Sequence, residues 1–331
     1  MSEIISSEKL RQLAAEWIGQ GVRVAGPQRA GGRVLYLPLK NSADLLLDGF
    51  IHPANSAKEF LFPKTETLYA YRIEGHDVKL VEEPETDAPQ LLLAVRPCDA
   101  AAFPILDHIF NWDCADNLYN RRRSNTTIVA LSCSTHDAKC FCTSVGLGPA
   151  SERGADVLLV PLTSDSLEVR CLTDKGRALF AGKTTTDNVA AMAAAGPEPR
   201  FAAEAVRKFS AANFEHSIWA EHALACVGCG ACAHTCPTCH CFDIVDEHSE
   251  RVRNWDSCQF SLFTLHASGH NPRPDQGSRQ RQRILHKFSI YPDKFGEILC
   301  TGCGNCTRNC PAGLGVLPLL IAIEHEEHLP A

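Results

Sequence analysis

The chain has no long apolar run, and that absence is the first constraint on its function. The longest apolar stretch near the C-terminus, Gly315–Ile323, falls far short of the roughly 20 residues a helix needs to cross a bilayer. Residues Met1–Leu10 carry Glu3, Glu8 and Lys9 and lack the apolar core of a secretory signal. No basic excess exists either: 32 Lys and Arg face 39 Asp and Glu, a formal net charge of −7. Such a balance gives no positive field for nucleic acid. The sequence holds no G-x-x-x-x-G-K-[ST] phosphate loop. Gly26–Gly32 contains Gly-Pro and Gly-Gly but not the G-x-G-x-x-G register of a dinucleotide site. Paired-carboxylate and nucleophile–base constellations are missing too. The expectation is a cytoplasmic protein without a membrane span, binding no nucleic acid and completing no chemistry alone.

What the chain does have is cysteine, 17 in 331 residues. Disulfide frameworks serve mostly small secreted domains that lack a core. This chain is long, 45% hydrophobic, and carries no export signal, so clustered cysteine reads as metal-binding or catalytic.

Two runs stand out. The first is Cys226-Val-Gly-Cys229-Gly-Ala-Cys232-Ala-His-Thr-Cys236-Pro237. The second is Cys300-Thr-Gly-Cys303-Gly-Asn-Cys306-Thr-Arg-Asn-Cys310-Pro311. Both have the C-x2-C-x2-C-x3-C-P spacing that holds 4Fe–4S cubanes. Three thiolates two residues apart on a tight loop grip three corners of one cubane. Gly228, Gly230, Gly302 and Gly304 permit backbone torsions and close approaches that a Cβ would obstruct. In two-cluster proteins the fourth Cys of each run ligates the other cluster. The expected sets are therefore Cys226, Cys229, Cys232 and Cys310 for one cubane, and Cys300, Cys303, Cys306 and Cys236 for the other. Zinc sites pair two distant C-x2-C units instead, so a zinc-stabilised scaffold is the weaker alternative.

A third constellation is Cys98, Cys133, Cys140 and Cys142. Cys98 and Cys133 each follow a strand candidate, Leu91–Val95 and Thr127–Leu131, and strand ends in an α/β layer share one edge where ligands collect. These four are a candidate site for a third cluster; the alternatives are buried apolar thiols or a site acting on a sulfur compound. Cys239-His240-Cys241 is read as packing beside the first run, with a redox thiol or further ligand as the other reading. Cys114, Cys171 and Cys258 are read as isolated core or surface thiols, and Arg279, Arg281 and Arg283 as a solvated helix face, with the cluster charge or a partner as the other reading.

Pattern divides the chain near Pro199. Residues 1–199 read as mixed α/β (or α+β), with helices at Glu8–Ile18 and Ala100–Phe110 and further strands at Val34–Leu37 and Val157–Val160. An alanine-rich stretch, Val189–Ala195, precedes the Pro/Gly break at Gly196–Pro199. Residues 200–331 read as an α-helical ferredoxin-like dicluster domain. Helices are expected at Phe201–Ala212 and Arg279–Phe288, with a polar, basic loop at His270–Arg283 between the runs.

Several segments together carry a resemblance: Arg96-Pro97-Cys98-Asp99, Cys140-Phe141-Cys142-Thr143-Ser144, Cys236-Pro237-Thr238-Cys239-His240-Cys241-Phe242-Asp243, Trp255-Asp256-Ser257-Cys258-Gln259-Phe260 and His266-Ala267-Ser268-Gly269-His270-Asn271. From about Lys58 to the C-terminus the chain resembles the 4Fe–4S dicluster subunits of soluble multi-subunit reductases. These include the beta subunit of cytoplasmic nickel–iron hydrogenases (sulfhydrogenases) and the A subunit of anaerobic sulfite reductase. The resemblance implies an electron-relay subunit beside a flavin- and NAD(P)-binding partner and a catalytic subunit.

Overall fold

The structure, a computed structural model, describes residues 2–81, 88–189 and 191–327. Ala190, inside the alanine-rich stretch, lies outside the described residues. The strands in chain order are β1 (Ser2–Ser6), β2 (Arg23–Ala30), β3 (Arg33–Pro38), β4 (Thr65–Glu74), β5 (Asp77–Val81) and β6 (Gln90–Val95). They continue as β7 (Thr126–Leu131), β8 (Val157–Pro161), β9 (Ser166–Cys171), β10 (Thr185–Asp187), β11 (Phe242–Glu247) and β12 (Glu250–Trp255).

Eight of these form one sheet in the order β10-β1-β9-β8-β7-β6-β2-β3. Its centre, β2, β6, β7 and β8, is parallel, and antiparallel strands flank it on both sides. β6 is buried along its whole length, as a parallel strand covered on both faces should be. The side chains alternate between two cores as far as Leu93, and the irregularity at Ala94, φ +54°, shifts the alternation by one residue. Leu91 and Leu93 pack with Leu10, Leu13 and Trp17 of the helix Ser7–Gly19. Leu92 and Val95 pack with Phe103 and Leu106 of the helix Ala102–Ile109. Ser6 starts the first helix by accepting from the Lys9 N–H at 3.0 Å.

A second, antiparallel sheet runs β11-β12-β4-β5. Its hairpin β11–β12 lies between the two cysteine runs, so this half of the chain is not all helical as expected. The turn residues His248 and Ser249 have φ of +50° and +66°, without the Gly or Asn-Gly that normally announces such a turn. β12 pairs with β4 of the first half, and the buried Arg253 reaches across to Glu66 with Nε at 3.1 Å. The regions on either side of Pro199 thus share a sheet.

The expected basic loop also ends early. Asp275 caps a helix, Gln276–Leu285, by accepting from the Ser278 N–H at 2.8 Å. That helix packs Ile284 against Trp219, Leu319 and Ile323. Arg279 and Arg283 are buried on it rather than solvated, because each finds carbonyl acceptors inside: Arg273 for the first, at 2.9 Å, and Cys232 for the second, at 3.1 Å. Among the described residues no helix is long and apolar enough to cross a membrane.

Candidate metal centres

Each cysteine run begins as a loop and ends in one helical turn, Ala231–His234 in the first and Asn305–Arg308 in the second. Gly230 and Gly304 open these turns at φ of +72° and +77°. This places the third Cys of each run on the turn and the first two on the loop before it. The two runs interlock. Cys226, Cys229 and Cys232 line one cavity together with Cys310 of the other run. Cys300, Cys303 and Cys306 line a second together with Cys236. Cys229 is exposed, whereas Cys236, Cys303 and Cys306 are buried. The first cavity therefore lies at the surface, beside the exposed apolar side chains of Leu224 and Val227, and the second lies inside.

Two cations on one helical stretch serve both cavities. Arg283 lines the two together, and although only 2% exposed its Nε and Nη1 have no hydrogen-bond partner. Buried donors without acceptors are costly, and the sulfurs of an anionic cluster supply the acceptors this guanidinium lacks. Lys287, one turn on, lines the second cavity with Nζ 3.5 Å from Cys236 Sγ, 3.0 Å from Thr238 Oγ1 and 3.0 Å from the Leu299 carbonyl. Burial pushes this ammonium towards neutrality, but the charge at Cys236, the largest opposing influence, helps to keep the proton on. The thiols respond oppositely. Burial pushes Cys232 up to about 11 and Cys300 up to about 12, so both keep their protons at neutral pH until a metal displaces them. The donor set, the cations and the cavities fit 4Fe–4S clusters. Among the described residues no three Cys, His, Asp or Glu side chains converge where a single ion would sit, which is what a mononuclear zinc site requires.

The N-terminal set is also gathered. β6 and β7 are neighbouring parallel strands, so Cys98 and Cys133 leave the same edge. Burial pushes the Cys98 thiol well up, and Cys303, Asp99, Cys133 and Cys142 all add to the rise. Arg96 faces Cys133, Cys98 and Cys140, and Arg308 Nη2 donates to Cys140 Sγ at 2.9 Å. This group abuts the second cavity directly: the Phe141 N–H donates to the Gly302 carbonyl at 2.9 Å. Gly302, at φ +65°, has no room for a Cβ, which would meet Cys142 N and Cα at 2.5 Å.

Around the Cys239-His240-Cys241 stretch, the buried Lys58 donates to the carbonyls of Cys239 at 2.7 Å and Ala233 at 3.3 Å, with its Nζ 4.1 Å from the centre of the Trp255 ring. Cys258, expected to be isolated, lines the same cleft as Cys241. Cys114 is exposed, and Cys171 donates to the Gly176 carbonyl at 3.5 Å; neither joins a site.

Residues 225–314, spanning both runs, match the 4Fe-4S dicluster domain family. Over 307 residues the chain is 30% identical to sulfhydrogenase 2 subunit beta of Pyrococcus furiosus, covering 88% of this chain and 89% of the relative. The chain belongs to the sulfhydrogenase beta-subunit family. No solved structure matches it significantly. As a member of that family it is an iron–sulfur electron-transfer subunit with a 4Fe–4S dicluster domain. What sequence reading missed in this sulfhydrogenase beta-subunit relative is its cations. Lys58, Lys287 and Arg308 carry no motif of their own, and only their place beside the cysteine segments marks them.

Proposed function

We propose that this subunit relays single electrons within a hetero-oligomeric cytoplasmic oxidoreductase, hydrogenase- or sulfite-reductase-like, between a flavin- and NAD(P)-binding subunit and a catalytic subunit. Cys226, Cys229, Cys232 and Cys310 hold one cubane, and Cys300, Cys303, Cys306 and Cys236 the other. The exchange of Cys236 and Cys310 between the two cavities carries this reading, since it makes the two sites immediate neighbours. A bound cubane supplies a one-electron couple whose potential depends on hydrogen bonds, charge and exposure. The protein's own part is to set those terms. Arg283 and Lys287 place positive charge between the cavities, and the exposed edge at Cys229, Leu224 and Val227 offers the first site to a partner.

Cys98, Cys133, Cys140 and Cys142 hold a third 4Fe–4S cluster, extending the relay through the loop that rests on Gly302. Functionally the chain divides near Pro199, the first region carrying this third site and residues 200–331 the cubane pair in a ferredoxin-like arrangement. Iron and acid-labile sulfide analysis of the anaerobically purified complex tests the ligand sets: about twelve iron atoms per subunit are expected for three cubanes and about eight without the third. Loss of both visible absorption and sulfide would end the relay reading. Identification of the co-purifying chains tests the partners.

A further inference from the structure

The hairpin between the two cysteine runs gathers donors that no ligand set above uses. Cys241 directly precedes β11, and Cys258 follows β12. The Asp256 N–H donates to the Cys241 carbonyl at 2.9 Å, one step beyond the last ladder pair, Phe242 with Trp255. The two strands therefore return Cys258 to the side of Cys241. Cys239, Cys241 and Cys258 line one cleft, and His286 lines it too. That histidine opens the wide turn His286–Ile290, which continues the helix Gln276–Leu285; such π-turns inside helices are frequent at functional sites. Three separate segments thus bring three thiols and an imidazole to one space.

The surroundings repeat those of the two interlocked cavities. Arg283 and Lys287 line this cleft as well, and Arg273 adds a third cation. In each place a nitrogen donor is aimed at a cysteine sulfur. Gln280 Nε2 lies 3.6 Å from Cys226 Sγ in the first cavity, Lys287 Nζ lies 3.5 Å from Cys236 Sγ in the second, and here Gln259 Nε2 lies 3.5 Å from Cys258 Sγ. Such donors stabilise sulfurs that carry cluster charge. The buried Lys58 holds the Cys239 carbonyl at 2.7 Å and so anchors the start of the cysteine pair. His240 Nδ1 is engaged by the Thr238 carbonyl at 3.0 Å, and its ring lies edge-on to that of His286 with centroids 5.4 Å apart. Burial pushes His286 down to about 3, so its imidazole is neutral and keeps a lone pair for a metal. Among the described residues these donors do not converge on a single ion. Neither do the two interlocked sets, and the fit here is likewise to a cluster rather than to zinc.

We propose that Cys239, Cys241, Cys258 and His286 hold a further 4Fe–4S cluster, outside the ligand sets of the relay. A bound cluster supplies a one-electron couple there. The chain's own residues set its character. An imidazole in place of one thiolate removes a negative charge from the ligand set, and histidine ligation raises the potential of iron–sulfur centres. Arg273, Arg283 and Lys287 act in the same direction by favouring the more negative, reduced state. Arg283 and Lys287 line both this cleft and the second cavity, so the two sites are neighbours. The cleft is therefore a side store in which electrons from the second cubane collect. Its ligand assignment stands whatever the relay's direction or partners.

The test uses the complete complex, purified anaerobically. Cys258→Ala and Cys241→Ala should each lower iron and acid-labile sulfide by about four atoms per subunit. Cys303→Ala removes a different cluster, so the double variant Cys258→Ala/Cys303→Ala should lose about eight iron atoms. Pulsed paramagnetic resonance of the dithionite-reduced complex should show a coupling to directly bonded nitrogen that His286→Cys abolishes. That variant keeps a donor at the fourth corner, so it should retain its iron and lower one midpoint in a redox titration, which separates ligand exchange from collapse of the fold. Unchanged iron in Cys258→Ala overturns the proposal. So does the absence of any nitrogen coupling that His286→Cys removes. Failure of the relay reading looks different: Cys303→Ala then loses no iron, whereas Cys258→Ala still does.

Discussion

Arg308 and Asp137 tie the second cysteine run to the N-terminal cysteine loop through two parallel hydrogen bonds, Nε to Oδ2 at 2.8 Å and Nη2 to Oδ1 at 2.7 Å. The same carboxylate accepts from the N–H groups of Lys139 and Cys140 at 2.9 and 3.2 Å. One ion pair therefore fixes the loop that carries Cys140 and Cys142 against the helical turn that carries Cys306.

This pair sets a pH dependence. Partial burial pushes the Asp137 carboxyl up, but the hydrogen bonds and charge of Arg308 outweigh it and hold the group well below the usual carboxylate range. A group depressed on folding stabilises the native state above its unfolded value, about 3.9, and loses that contribution as pH falls further. Thermal melts of the wild-type protein should therefore drop below about pH 4 more steeply than those of Asp137→Asn. At neutral pH the variant should be less stable by about 1 kcal/mol, a modest figure because solvent screens a partly exposed pair. Identical melts for the two proteins across that range would remove Asp137 from this role.

The contact between the loops predicts a steric effect at Gly302. With φ at +65° and Cys142 N and Cα 2.5 Å from where a Cβ would stand, Gly302→Ala forces the two backbones apart. A loss of about 2 kcal/mol is expected from overpacking together with the strained torsion. Limited proteolysis near residues 137–146 should accelerate relative to the wild type. Gly296→Ala, which shares a positive φ but has open space around it, should leave that loop protected. Equal cleavage rates in both variants would show that the loops are held by something else.

How much of this was legible beforehand depends on whether the signal was local. The cysteine spacing and the buried strands at 90–95 and 126–131 follow from short-range pattern. The second sheet does not. Its β12–β4 pairing joins residues more than a hundred positions apart, and its hairpin turns at His248–Ser249 without a glycine. Helical periodicity leaves Arg283 open between a solvated face and the cluster charge, because it cannot distinguish an outward charge from one aimed at a cavity of thiols. Cys258 looked solitary for a related reason: only the hairpin returns it to Cys241.

Cys303 separates the metal centre from the fold. It lines the second cavity but contributes to neither of the two cores around the large sheet. Cys303→Ser should lower the iron content by about four atoms, one cubane, and stop electron transfer through the subunit. Far-ultraviolet circular dichroism should retain the signal of the α/β region. Full iron retention would place the fourth ligand elsewhere.

Lys287 offers the sharpest electrostatic test. Its ammonium lies 3.5 Å from Cys236 Sγ and is buried to 2% exposure, where solvent screens little. Reduction adds one negative charge to the group that Cys236 would hold, so the cation stabilises the reduced state more than the oxidised one. Removing it makes reduction harder. A charge-assisted hydrogen bond contributes about 1.5–3 kcal/mol, of which only the difference between the two oxidation states reaches the potential. With 1.4 kcal/mol equivalent to about 59 mV for one electron, Lys287→Met should lower the midpoint of the second cubane by roughly 50–100 mV. Lys287→Arg, which keeps the charge, should shift it less. Arg283 still stands beside both cavities in these variants, so the first cubane should move by a smaller amount. A redox titration followed by paramagnetic resonance measures both midpoints. Equal shifts at the two clusters, or none at either, would show that Lys287 does not set the gradient between them.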